Sequence, residues 1–268
     1  MKAGMTRERL DKIIFERGLA ESRARAQAMI LAGQVLVREQ RVDKPGQLID
    51  PGAEIRIKGE TLRYVSRGGL KLEAALREFG VSPQAKTCID VGASTGGFTD
   101  CLLQHGASGV WAVDVGHNQL AWRIRQDPRV VVLEGQNARD LDPEQFPVRF
   151  DLGTVDVIFI SLTKILPALL PCLKEDADCI ALIKPQFEVG KGEVGKSGVV
   201  TDPKKHRRVL TEVIESAAAT GFVAIGLIES PVLGAEGNRE FLAHLKLASE
   251  GFAKPVTIDE RIIALTSE

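Results

Sequence analysis

Apolar residues change their spacing as the chain proceeds. Between Leu10 and Ile30 they recur at helical intervals, first as Leu10, Ile13 and Ile14, then as Ala26, Met29 and Ile30. Thr6 can cap the first of these helices and Gly18 end it, while Ser22 can cap the second and Gly33 close it. Val35 and Val37 then alternate as in a strand, Lys44-Pro45-Gly46 and Asp50-Pro51-Gly52 mark turns, and Glu54 to Ile57 supplies a last short strand. From Lys86 onward the rhythm is different. The runs Thr87–Val91, Val110–Val115, Val130–Leu133, Leu152–Val157 and Cys179–Ile183 are short, apolar and without clean alternation, as strands buried on both faces of a parallel sheet are. Helical segments are predicted near 97–105, 118–126, 162–173 and 203–220. Two final strands, Gly221–Ser230 and Phe241–Leu247, suit an antiparallel edge. The order predicts a small α+β domain over 1–62, a linker at 63–67, and a doubly wound α/β domain over 68–268 with a mostly parallel, seven-stranded sheet. Tyr64-Val65-Ser66 is expected to act as a hinge or a rigid spacer.

Charge divides the chain at the same place. The formal net charge of -1 conceals a balance of +5 over residues 1–67 and -6 over the rest. A basic head on an acidic body suits contact with a polyanion. Arg7, Arg9, Arg23, Arg25, Arg38 and Arg41 fall on the polar sides of the small domain, and the planar guanidinium matches phosphate oxygens. The alternative is a solvated face on which arginines alternate with Glu8, Asp11, Glu16 and Glu21. Four cysteines (88, 101, 172, 179) contain no C-x-x-C pair and four histidines (105, 117, 206, 244) are scattered, so neither a disulfide framework nor a metal site is expected. No run approaches the roughly 18 apolar residues that cross a bilayer, and MKAGMTRERLDK lacks an apolar secretion signal. A cytoplasmic protein without a membrane partner is expected. Nothing in the sequence fixes an oligomeric state.

Chemistry concentrates at the ends of the predicted strands. Asp90-Val-Gly92-Ala-Ser94-Thr95-Gly96-Gly97 lies between the first strand and its helix, where glycines let a ligand approach the backbone. Ser94 stands at the second glycine of a G-x-G-x-x-G turn, and Asp90 precedes the turn. Both disfavour a pyrophosphate, and Asp90 suits a cationic ligand. Asp114 ends the next strand, about 20 residues on, where a carboxylate binds ribose hydroxyls of either a dinucleotide or a nucleoside cofactor. Asn137 is either an adenine contact or a turn former. Asp156 follows the fourth strand within an apolar run, and Lys184 ends the fifth before Pro185, which keeps Lys184 extended. Burying either charge without a purpose is costly. Lys71 and Glu240, taken singly, read as surface groups.

R-L-D-K-I-I-F-E-R-G-L-A-E-S-R-A-R-A-Q-A-M-I-L-A-G-Q-V-L-V, from Arg9 to Val37, resembles the S4 RNA-binding domain, which grips structured RNA with its two helices. S-R-G-G-L-K-L-E-A-A-L, D-V-G-A-S-T-G-G-F-T-D, V-D-V-I-F-I-S-L-T-K-I-L-P, A-L-I-K-P-Q-F-E and G-N-R-E-F, in that order, resemble the TlyA (hemolysin A) family. Members of that family are FtsJ-like ribosomal RNA 2′-O-methyltransferases with an N-terminal S4 domain. The resemblance implies a Rossmann-like methyltransferase fold, S-adenosylmethionine as cofactor, and cytidine 2′-hydroxyls of ribosomal RNA or ribosomal subunits as substrate. It also implies a Lys-Asp-Lys-Glu tetrad, which falls on Lys71, Asp156, Lys184 and Glu240.

These residues suit the implied reaction. A ribose hydroxyl attacks only as its proton is removed. Lys184 is the expected base, its pKa lowered by desolvation and by Lys71, with Asp156 and Glu240 orienting the ammonium groups. The stretch Gln186–Val200 reads as a loop closing over RNA or cofactor, or as a plain connector. Three other functions compete. A membrane-active hemolysin is disfavoured because no signal peptide, spanning segment or long basic amphipathic helix is present, a non-catalytic ribosome-associated RNA-binding protein would not need the Asp90–Gly97 turn and the tetrad, and an NAD-dependent oxidoreductase is disfavoured by Ser94 and Asp90.

Overall fold

The computed structural model describes residues 7–17, 19–20, 22–38, 40–57, 63–190, 192–195, 198–248 and 257–267. Thr6, Gly18 and Glu21 lie outside the described residues. The chain divides into two compact units, residues 1–62 and 63–268.

In the first unit, β1 (Glu8–Arg9) runs directly into α1 (Leu10–Glu16), and α2 (Arg23–Leu31) follows. Ser22 caps α2 as expected, its hydroxyl accepting from the Arg25 N–H at 3.1 Å. Gly33 (φ +68°) turns the chain out of the helix, with Gln34 N–H closing back on Met29 O. β2 (Val35–Val37) pairs antiparallel with β3 (Gln40–Arg41) and β5 (Ile55–Ile57), and β1 pairs with β4 (Leu48–Ile49). The two-residue strands β1 and β4 are too short to show a period, so the sequence pattern did not reveal them. Leu10, Ile13, Ile14, Ala26, Met29, Ile30 and Val35 form the core, which makes the predicted helical stripes the buried faces. Asp11 departs from the solvated-face reading because it is fully buried.

The second unit opens with α3 (Gly68–Phe79) and continues through β6 (Thr87–Val91), α4 (Gly97–Gln104), β7 (Gly109–Asp114), α5 (Trp122–Arg125), β8 (Val130–Glu134) and β9 (Phe150–Val155). It then runs through α6 (Leu166–Leu169), β10 (Leu173–Ile183), α7 (Pro185–Glu188), α8 (Pro203–Ala219), β11 (Phe222–Glu229), β12 (Phe241–Leu247) and α9 (Thr257–Thr266). One seven-stranded sheet has the order β11-β12-β10-β9-β6-β7-β8. Its β10-β9-β6-β7-β8 part is parallel, and β12 runs antiparallel between β10 and β11. The doubly wound, mostly parallel sheet expected from the apolar runs is therefore present, with its antiparallel edge. Successive residues of the central strands enter opposite cores. Ile89, Val91, Val155 and Ile183 pack with Val209, Leu210 and Val213, whereas Cys88, Leu152, Ile180 and Leu182 pack with Leu72, Phe98 and Leu102. Residues wanted on both faces explain the lack of alternation.

Several segments differ from expectation. The helix predicted at 118–126 shrinks to Trp122–Arg125 because Asn118 takes φ +56° and the Ala121 N–H donates to Thr95 O. The helix predicted at 162–173 breaks into a 3-10 turn at Leu162–Lys164, α6, and a second turn at Leu170–Cys172. Pro167 and Pro171 lack the N–H a continuous helix would need. β10 starts six residues earlier than its apolar run, with a register shift against β9 between Leu173 and Asp178 that carries the polar Lys174–Asp176. Residues 63–67, expected as a linker, fold with this unit. The Tyr64 side chain is buried beside Leu72 and Phe98, the Val65 N–H donates to Asp100 Oδ2 at 2.8 Å, and a Cβ on Gly69 would lie 2.2 Å from the Tyr64 ring. Among the described residues, no helix is long and apolar enough to cross a membrane.

Candidate active site

The strand order reverses between β6 and β9, whose carboxyl ends therefore leave a crevice between diverging connections. Gly92 takes φ +85° at the tip of β6, and a Cβ there would stand 2.4 Å from the Asp156 carbonyl oxygen. Only glycine permits that approach. Ser94 adopts φ +48°, a left-handed conformation that a second glycine would hold without strain. Its N–H donates to Asp114 Oδ2 at 2.8 Å, and the Gly116 N–H donates to Asp114 Oδ1 at 2.7 Å. One carboxylate at the end of β7 thus fixes two turns. A cavity of about 620 Å³ opens here, its wall including Gly92, Ser94, Thr95, Gly97, Asp114 and Asn137 from the expected set, together with Lys71, Asp156 and Lys184.

Two residues expected to touch a cofactor are not on that wall. Asp90 is wholly buried beneath it and accepts hydrogen bonds from the Thr99 hydroxyl (2.6 Å) and the Thr154 hydroxyl (2.9 Å). Burial pushes its carboxyl up to about 6, against the pull of those hydroxyls. A residue one place before the tip of a buried strand points into the sheet's own packing, so the cationic-ligand reading of Asp90 does not fit. Gly96 (φ +92°) also faces inward, where a Cβ would meet Leu120 at 2.8 Å. Asn137 does cap a turn, since its Oδ1 accepts from the Arg139 N–H at 3.1 Å. The cavity nevertheless fits S-adenosylmethionine, the group implied by the resemblance. It has a backbone-lined glycine floor, a strand-end carboxylate with unused lone pairs, an apolar flank from Val113 and Val115, and a volume in the range of about 300–1,000 Å³ typical of small-molecule sites.

The four tetrad candidates form two ion pairs. Lys71, one turn into α3, binds Glu240, which immediately precedes β12. Both are buried. Lys184, just beyond β10, lies 2.5 Å from Asp156 Oδ1, just beyond β9. The backbone sets these positions. The Asp156 N–H donates to Val91 O at 2.9 Å, extending the β6–β9 ladder, and Lys184 is extended (φ -114°, ψ 98°) before Pro185 opens α7. A Cβ on Gly234 would come within 2.0 Å of Glu240 Oε1, so this glycine makes room for the carboxylate.

Several neighbours were not singled out from the sequence. Gln186 donates from Nε2 to Glu240 Oε1 at 3.2 Å. The Phe187 ring lies 6.0 Å from Lys184 Nζ and 5.1 Å from the Phe159 ring. Phe159, at φ +61° and 85% exposed, joins the cavity wall. An apolar aromatic directly after a strand end in V-D-V-I-F-I reads as core, which hid it. The described residues of 186–200 are tied down at several points. Asn238 accepts at Oδ1 from the Val200 N–H and donates from Nδ2 to Gly198 O, and the His206 Nε2–H donates to Val200 O. Among the described residues, no group of three or more His, Cys, Asp or Glu side chains could hold a metal ion.

In the first unit, Asp11 receives Arg9 through Nε and Nη2 (3.0 and 2.9 Å), Gln27 at 2.7 Å and Arg23 at 3.3 Å. The Arg9 hydrogen bonds hold its carboxyl below the usual carboxylate range, despite burial. Arg9 and Arg23 remain about half exposed, so one buried anion presents two cations to solvent. Arg38 pairs with Asp50 at 3.2 Å, and Arg7, Arg38 and Arg41 line a shallow cavity of about 690 Å³. Arg25 is exposed on α2.

Comparison with known proteins agrees with this architecture. The family of FtsJ-like methyltransferases matches residues 64–247, and the S4 domain matches residues 8–55. The chain is 52% identical to "Putative rRNA methyltransferase YqxC" of Bacillus subtilis, over 98% of this chain and 94% of that one. It is 42% identical to "16S/23S rRNA (cytidine-2'-O)-methyltransferase TlyA" of Mycobacterium tuberculosis, over 98% of both. A solved structure, "Putative hemolysin from Streptococcus thermophilus", superposes with a TM-score of 0.74 at 45% identity, over 98% of this chain and 96% of that one. The chain belongs to the FtsJ-like family of S-adenosylmethionine-dependent methyltransferases.

Proposed function

We propose that this enzyme methylates a ribose 2′-hydroxyl, of cytidine, in ribosomal RNA, with residues 1–62 holding the RNA and residues 68–268 carrying the chemistry. The observation that carries this reading is the convergence of two Lys–carboxylate pairs on one glycine-floored cavity. The similarity to the M. tuberculosis enzyme supports the substrate. When bound, S-adenosylmethionine supplies an electrophilic methyl group. Lys184 takes the proton of the attacking hydroxyl, and Asp156 holds its side chain at the cavity wall. Lys71, kept in place by Glu240, contributes positive charge where a hydroxyl gains negative charge. Gly92, Ser94, Thr95, Gly97, Asp114 and Asn137 hold the cofactor, with the Asp114 carboxylate toward the ribose hydroxyls. Asp90 and Gly96 support that wall from beneath. Arg7, Arg9, Arg23, Arg25, Arg38 and Arg41 contact phosphates.

The test is Lys184→Ala with tritiated cofactor on ribosomal RNA. Methyl transfer is expected to vanish while cofactor affinity stays within about threefold. Retained turnover would overturn the assignment of the base, and transfer to a base nitrogen or carbon, read by nucleoside analysis, would overturn the ribose assignment.

A further inference from the structure

Gln186 bonds to one of the two ion pairs from the segment that carries the other. It sits two residues after Lys184, at the second position of α7, and its Nε2–H donates to Glu240 Oε1 at 3.2 Å while the other Glu240 oxygen receives Lys71. The backbone of α7 thus carries Lys184 on its N-cap and a grip on the Lys71–Glu240 pair two residues later. The Gln186 carbonyl Oε1 is buried and receives no hydrogen bond. A buried, unfilled acceptor costs about 1–3 kcal/mol. Lys71, bound to the other oxygen of the same Glu240 carboxylate, and Lys184, two residues back along the chain, each carry three N–H donors.

We propose that Gln186 is a positioning residue for the methyl-transfer reaction, a neutral bridge that holds Glu240 through its N–H and accepts an ammonium N–H of the array through its carbonyl. The inference rests on the reading of Lys184 as base. Neutrality is the point of the amide. A carboxylate at 186 would have no N–H to give Glu240, and its added negative charge would favour the charged ammonium over the free amine that must accept the hydroxyl proton. A carboxamide orients the same groups without adding charge. The charged groups around α7 are Lys71 from α3, Asp156 from the end of β9, Lys184, Glu240 before β12, and Glu188, whose Oε1 accepts from the Leu162 N–H. On α8, which packs against α7, Glu212 is near enough to act on the Glu188 carboxyl, while Lys205 and Arg208 are engaged by Glu193 and the buried His206 by Val200 O.

The experiment compares full-length wild type, Gln186→Leu and Gln186→Glu for methyl transfer to ribosomal RNA across pH 6–10, with cofactor affinity by calorimetry and melting temperature alongside. Gln186→Leu should lower kcat about tenfold or more at every pH, with cofactor affinity within about threefold of wild type. Gln186→Glu should move the rising limb of the kcat profile to higher pH, so that its deficit at pH 7 shrinks as the medium becomes alkaline. Wild-type kcat and an unmoved profile in both variants would overturn the bridge. So would a loss that tracks melting temperature or cofactor affinity alone. Absence of methyl transfer by the wild type would instead overturn the functional reading itself, which separates the two failures.

Discussion

Lys71 and Glu240, 169 residues apart in the chain, meet as a buried ion pair, with Lys71 on the wall of the glycine-floored cavity. One comes from the first helix of the large unit and the other from the approach to its last strand, so the pair closes the fold as well as the site.

Glu240→Ala leaves the Lys71 ammonium buried without its anion and the Gln186 N–H without its acceptor. A loss of about 3–5 kcal/mol is expected from breaking one side of such a pair. Replacing both partners, Lys71→Met with Glu240→Leu, removes the uncompensated charge and should recover most of that stability. Activity should fall about 100-fold or more in either variant. Urea unfolding beside methyl-transfer assays separates the effects, and a double variant as unstable as Glu240→Ala would show that the pair's charge is not what matters.

The sheet was legible because residues buried on both faces write continuous apolar runs, and six of the seven strands lie within two residues of their expected bounds, β10 alone beginning earlier. Lys184 and Asp156 stood out for a related reason, as charges set against apolar strands. Lys71 and Glu240 did not, because each is an ordinary helix or turn residue whose burial depends on the other, and only the family resemblance brought them together. Pro167 and Pro171 divide what the apolar spacing of 162–173 suggested was one helix. The residue before a ligand-binding turn need not face the ligand, and Asp90 is buried beneath the cavity wall. An acid among arginines on a helix reads as solvated until packing buries it, as it does Asp11.

Asp90 gives a pH signature. Its folded carboxyl sits at about 6, above the usual carboxylate value, because burial disfavours the anion. The folded state therefore holds a proton that the unfolded chain releases earlier, and stability must fall as pH rises from about 4 to about 6, by roughly 3 kcal/mol in all. Asp90→Asn keeps partners in Thr99 and Thr154, whose hydroxyls can accept as well as donate, and removes the titration. The variant's melting temperature should gain on wild type between pH 4.5 and 7. A constant difference across that window would show that Asp90 is not the titrating group.

Asp11 should matter for RNA and not for cofactor. Asp11→Ala frees the Arg9 and Arg23 guanidiniums to wander, although both cations remain. Affinity for ribosomal RNA fragments should drop about tenfold, from lost pre-organisation, while cofactor affinity is unchanged. Lowering salt should restore much of the binding, since the phosphate attraction survives. Filter binding at two ionic strengths measures this, and undiminished affinity at both would show that the clamp does not serve RNA.

Gly92 and Gly96 separate two ways in which the same turn can fail. Both take positive φ, so alanine strains the backbone at either position by about 1–3 kcal/mol. Their surroundings differ. The Cβ of Gly96→Ala meets the Leu120 side chain, which can move, whereas that of Gly92→Ala lies 2.4 Å from the backbone oxygen of Asp156, which is fixed by the β6–β9 ladder. Relieving the second clash must shift the residue whose carboxylate pairs with Lys184. Gly96→Ala should therefore lower melting temperature and keep most of its kcat once saturated with cofactor, while Gly92→Ala should lose kcat even at saturation, because a displacement of about 1 Å in a positioned group costs on the order of 100-fold. Equal kcat in the two variants at saturating cofactor would mean that the turn and Asp156 are not mechanically joined.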